Sequence, residues 1–162
     1  MRIYKEKFEK IIPSNILDAP WQCSDFVQKY ISPEFHSKHE DYLDFVSRYY
    51  DVSIGDSTIP STDKGYLFFS FYPIEDAFEL DDPFKHDFFL IAKAEEEYKG
   101  ENKNIRFYLS LSDERQGGIY YSDAREGEEE HYNFLCESFT DFVELVINQK
   151  GKIYHYIRSA QA

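Results

Sequence analysis

NIRFYLSL (104–111) is the stretch on which the fold turns. Ile105, Phe107, Leu109 and Leu111 alternate with Arg106, Tyr108 and Ser110, which is the period of an extended chain with one face buried. GYLFFSFY (65–72), DFFLIAKA (87–94) and GGIYYSD (117–123) flank it as further strand candidates, rich in aromatic residues that favour a pleated surface. Short loops holding Gly100 and Gly117–Gly118 separate the later runs. Such short connections favour adjacent antiparallel pairing over crossovers.

Outside this block the period changes to that of helices. Tyr4, Phe8, Ile11 and Ile12 recur at three- and four-residue steps until Pro13. Ser24 is a cap for a short helix carrying Phe26, Val27, Tyr30 and Ile31, which Pro33 is expected to end. A third helix is predicted over 40–50, with Tyr42, Phe45, Val46 and Tyr49 as its apolar stripe and Leu43 and Tyr50 beside it. Residues 51–64 read as a loop or a short hairpin. Near the C-terminus Ser138 is a good N-cap, with Asp141 three residues on. Phe139, Phe142, Val143, Val146 and Ile147 give that helix an apolar face, and Gly151 is its stop. KIYHYIR (152–158) alternates and reads as an edge strand or a packed tail. Helices, then strands, then a helix predict one α+β domain over 1–162, a mostly antiparallel sheet with N-terminal helices and a C-terminal helix packed on it.

A chain of 162 residues is long enough for one real core without staples. Fifteen Phe, 14 Tyr and one Trp exclude disorder over most of the length. Cys23 and Cys136 are too few for a disulfide framework and read as two buried thiols. No run of 18 apolar residues occurs, and MRIYKEKFEKII (1–12) lacks a signal-peptide core, so a cytoplasmic protein without a membrane span is expected.

Catalytic signals are weak. His36 and His39 stand beside Glu40 and Asp41, yet no third or fourth ligand with metal spacing follows, so the cluster reads as a solvated helix start. There is no nucleophile elbow and no Gly-rich phosphate loop, and no cofactor is expected; Gly117–Gly118 reads as a turn. Glu75–Asp76, Asp81–Asp82 and Asp113–Glu114 are carboxylate pairs of the kind a small hydrolase would need, but adjacent exposed acids keep ordinary pKa values.

Charge says more. The net charge is −13, which disfavours nucleic acid as a partner. Ten acidic and three basic residues lie between Glu75 and Glu101, and ten acidic and two basic between Asp113 and Glu144. The acidity therefore belongs to the strands, their loops and the last helix, with EGEEE (126–130) its densest cluster. Such a surface either keeps the chain in solution or docks a basic protein. The candidate contacts are Glu126, Glu128, Glu129 and Glu130, then Asp81 and Asp82. Tyr120, Tyr121 and Tyr132 are either aromatic anchors near that rim or core residues.

The order of several segments resembles the SUKH superfamily, bacterial immunity proteins related to a yeast cell-wall-synthesis regulator. YLDFVSRYYDVSIGD (42–56) resembles its helix-then-turn signature, and YLFFSFYPIEDAFEL (66–80) its strand followed by a short acidic segment. IRFYLSLSDERQGGIYYSD (105–123) is similar to its glycine-joined strands, and FLCESFTDFVELV (134–146) to its closing Ser-Phe motif. The resemblance spans about residues 40–147. It implies a non-catalytic α+β domain that neutralises a cognate toxin, often a nuclease with a basic cleft, by binding it. The alternative is an interaction or scaffold module bound to an unrelated protein.

Overall fold

In a computed structural model the described residues are 33–48, 53–55, 67–74, 87–112, 116–125 and 127–161. They form an α+β unit. Helix α1 is Pro33–Lys38 and α2 is Glu40–Arg48. The strands follow as β1 Ser53–Gly55, β2 Leu67–Phe71, β3 Phe88–Tyr98, β4 Glu101–Ser110, β5 Ile119–Ser122 and β6 Asn133–Cys136. Helices α3, Phe139–Asn148, and α4, Ile153–Gln161, close the chain. The sheet runs β1-β2-β3-β4-β5-β6, and every neighbouring pair is antiparallel. The expected helices before Pro33 lie outside the described residues, as do Tyr49 and Tyr50.

The β3–β4 hairpin is the spine. Lys99 and Gly100 have φ of 50° and 79° and join Tyr98 to its partner Glu101 in a two-residue turn. Positive φ at both centres is the hairpin geometry whose twist matches the strands, and glycine reaches it without strain. This turn lets β3 run four residues beyond the expected 87–94. Alternation then sorts the side chains. Ile105, Phe107 and Leu109 of β4 face inward, together with Phe89, Ala92 and Ala94 of β3 and Phe69 and Phe71 of β2. A register shift between Leu90 and Ala92 leaves Ile91 as an extra buried residue, and its carbonyl accepts from Tyr72 N at 2.9 Å.

The helices cover this inner face. Tyr42, Leu43, Phe45 and Val46 of α2 and Phe139, Phe142, Val143 and Val146 of α3 are all buried in one cluster. The rings meet edge-on or tilted: Phe45 lies 4.9 Å from Phe71 and 5.2 Å from Phe139, and Phe107 lies 5.1 Å from Phe142. Edge and tilted contacts suit the aromatic quadrupole, so rings from the sheet and from both helices pack into one interior. Asp41 ties the two helices together. Its Oδ2 accepts from Thr140 N at 3.3 Å and Thr140 Oγ1 at 3.2 Å, at the first turn of α3.

Helix α3 has the expected ends. Ser138 Oγ accepts from Asp141 N at 3.1 Å. At the far end Gly151 N donates to Val146 O at 2.9 Å and Lys150 N to Ile147 O at 3.2 Å. That is a Schellman stop, with Lys150 as well as Gly151 in the left-handed region.

Pro33 begins a helix, where a missing N–H costs nothing, and the helix it was expected to end lies outside the described residues. Within 51–64, read as a loop or a short hairpin, Ser53–Gly55 forms a strand whose Ile54 pairs with Phe69. One expectation is corrected: KIYHYIR is neither edge strand nor tail, and from Ile153 it is the start of α4. Ile153, Tyr154 and Ile157 are its buried side, a helical spacing that strict alternation would break, while Tyr156 is exposed.

What fixes α4 is Glu96, one of the residues counted as surface acid. Glu96 shares the parity of Ala92 and Ala94, so it points inward and is only 1% exposed. Its carboxylate accepts from Tyr154 N at 2.6 Å and His155 N at 3.2 Å, and it also meets His155 Nδ1. The first amides of a helix have no internal acceptors, and a carboxylate there complements the dipole. Replacing Glu96 by Ala orphans those amides and leaves a void. We expect a loss of about 3 kcal/mol in denaturant unfolding, a smaller loss for Glu96→Gln, and faster amide exchange at Tyr154 and His155 in both.

Candidate functional site

The second face of the sheet is built from the other parity of the same strands. Phe88 and Leu90 of β3, Arg106 and Tyr108 of β4, Tyr120 of β5 and Phe134 of β6 share it. Their rings form a row. Phe88 stacks on Tyr132 at 4.0 Å and 9°, and lies edge-on to Tyr120 at 5.2 Å. Tyr120 meets Phe134 at 5.5 Å. Tyr108 is buried under Tyr132, 5.1 Å away, whereas Phe134 keeps 37% of its surface in solvent. Of the three tyrosines weighed as anchors, Tyr121 belongs to the core, and Tyr120 and Tyr132 are half-buried in this outer row. At the β2 side, Lys93 Nζ sits 5.7 Å from the ring centres of both Phe68 and Tyr72.

Arg106 and Glu130 form the polar centre. Arg106 Nε donates to Glu130 Oε1 at 3.0 Å and to Tyr108 Oη at 3.1 Å, and Nη2 donates to Ala124 O at 3.0 Å and to Glu130. Tyr108 and Tyr132 donate their hydroxyls to the same carboxylate at 3.1 and 3.0 Å. Partial burial disfavours the Glu130 charge, but Arg106 and the Tyr132 and Tyr108 hydroxyls outweigh it and hold the carboxyl below its ordinary range. Burial pushes the Tyr108 phenol well above its usual value, so it serves as a neutral donor.

The loop from Asp123 to Tyr132 is thereby pinned over β4. A turn closes within it, Glu128 N to Arg125 O at 3.0 Å, with Gly127 at φ 86°. The Glu128 carboxylate accepts from Arg125 N at 3.2 Å. The predicted acidic cluster is thus divided: Glu128 and Glu129 are exposed, whereas Glu130 is a half-buried ion-pair partner. Glu126, Asp81 and Asp82 lie outside the described residues, as do the pairs Glu75–Asp76 and Asp113–Glu114. Sequence reading missed Arg106 as the organiser, although its polar position in an alternating strand marked the outer face.

Other candidates resolve locally. His39 is not solvated but 2% exposed, packed on Phe35 at 4.7 Å, with no partner for Nδ1. Gly117 has φ 82°, with Gly117 N and Gly118 O both bonded to Ser110, which is a turn. Cys136 is a free thiol that burial, then Asp141, push up to about 12, while Cys23 lies outside the described residues. Among the described residues no three His, Cys, Asp or Glu side chains cluster to hold a metal, and no helix is long and apolar enough to cross a membrane. No family model, curated protein or solved structure matches this chain.

Burial of His39 lowers its pKa from 6.5, an effect that Asp41 opposes. The unfolded chain therefore binds this proton more readily than the native one. Stability from this group is full above pH 6.5 and is lost as pH falls through 6.5 toward the native value. Unfolding midpoints measured from pH 7.5 down to 5 should fall, and His39→Leu should flatten that slope.

Proposed function

We propose that this protein is an immunity protein of the SUKH kind, which binds and neutralises a basic toxin, a nuclease being the class its charge fits best. The observation that carries the reading is the outer sheet face, where an aromatic row runs to exposed Phe134 and is tied through Tyr132 and Tyr108 to Glu130, which follows the exposed carboxylates Glu128 and Glu129 in a chain of net charge −13. Aromatic anchors inside a charged rim are the usual anatomy of a binding surface. Acidic groups steer a cationic partner and repel nucleic acid. The antiparallel sheet with flanking helices agrees with the fold that the motif order implies.

Glu130 stays outside the contact set as a free charge, because Arg106 already neutralises it. Reversing Glu128, Glu129 and Glu130 together would therefore disturb the loop as well as the rim. The clean variant is Glu128→Lys with Glu129→Lys. Co-expression with the toxin encoded by the adjacent gene should restore growth, and the double variant should slow association about tenfold at low salt and flatten its salt dependence. Phe134→Ala should mainly speed dissociation. Full toxicity beside well-expressed wild-type protein would overturn the reading.

A further inference from the structure

The Asp123–Glu128 segment does more than display acids. Asp123, Arg125 and Glu128 line, with Asn102, Asn104 and Arg106 of β4, a polar cleft of about 570 Å³. Arg106 reaches this cleft already clamped. Its Nε and Nη2 are spent on Glu130, Tyr108 and Ala124 O, and none of these bonds uses Nη1. A guanidinium fixed by four hydrogen bonds keeps its remaining donors in one direction, with little entropy left to lose on binding. Lys103 also lines the cleft, but its Nζ is committed to Glu101 at 3.0 Å. Arg125 is the exposed cation of the wall, and its backbone is pinned by the Glu128 carboxylate.

We propose that this cleft is a carboxylate-binding site, in which Arg106 Nη1 supplies directed donors, Arg125 supplies the balancing charge, and Asn102 and Asn104 hold the neighbouring polar atoms. The Nε–Nη2 edge is taken by Glu130, so a singly charged carboxylate would accept from the Nη1 hydrogens. A phosphate dianion fits less well, because Asp123 and Glu128 stand in the same wall and the whole chain carries −13. The carboxylate has two sources, a free amino acid or the Asp or Glu side chain of a partner protein. The site stands on the cleft alone, independently of whether the partner is a toxin.

Amide chemical-shift titrations of the intact protein test it at constant ionic strength, with glycine, an end-blocked Gly-Glu-Gly peptide and inorganic phosphate as probes. Saturable shifts confined to residues 102–106 and 123–128 are expected with a carboxylate probe, with phosphate weaker. Tighter binding of glycine assigns a free amino acid, and tighter binding of the blocked peptide a partner side chain. Arg125→Gln, an exposed change that leaves the fold alone, should weaken the response about tenfold. Arg106→Lys, which keeps a charge and loses the Nη1 donors, should abolish it. Absence of saturation, equal response in Arg125→Gln, or a stronger response to phosphate overturns the proposal.

Discussion

The pairing of β3 with β4 is the constraint on which the rest of the molecule hangs. The Lys99–Gly100 turn sets the register of that hairpin, and a register fixed at one end fixes the face of every side chain along it. A slip of one residue would turn Phe107 to solvent and bury Arg106 among the rings of α3. The buried helices and the polar outer site are therefore two consequences of a single alternation.

Buried charge is used in two ways. Glu96 lies on the inner face yet is tolerated, because helix α4 arrives with unsatisfied amides that need an acceptor. Each removes the other's desolvation penalty, so the strand and the C-terminal helix specify one another. On the outer face Glu130 and Arg106 do the same for a loop. Their ion pair is half exposed, so its contribution to stability is modest, and its main effect is positional. It holds the Asp123–Tyr132 segment against β4, which shapes the cleft and sets Glu128 and Glu129 at the rim.

The two faces differ in how finished they are. Inside, aromatic rings meet aromatic rings with almost no exposure. Outside, Phe88, Tyr120, Tyr132 and Phe134 form a row that remains half in water and runs to the edge strand β6. Apolar rings beside exposed carboxylates leave surface that a second protein of opposite charge can cover, which is the basis of the function proposed above.

Period and punctuation in the sequence determined the elements: the alternation of 104–111, the stripe of Tyr42, Phe45 and Val46, the Ser138 cap and the glycine turns all act between near neighbours, so local chemistry suffices to read them. Tertiary structure alone decided which acids are surface and which are structural. EEE (95–97) and EGEEE (126–130) are uniform as text, but Glu96 meets a helix end 58 residues away and Glu130 an arginine 24 residues away. It also decided 153–161, where a ladder-like alternation became helix because the sheet offered a cap and a buried groove for Ile153, Tyr154 and Ile157. A carboxylate's role depends on what folding brings to it across space, and that information is not carried by its neighbours in the chain.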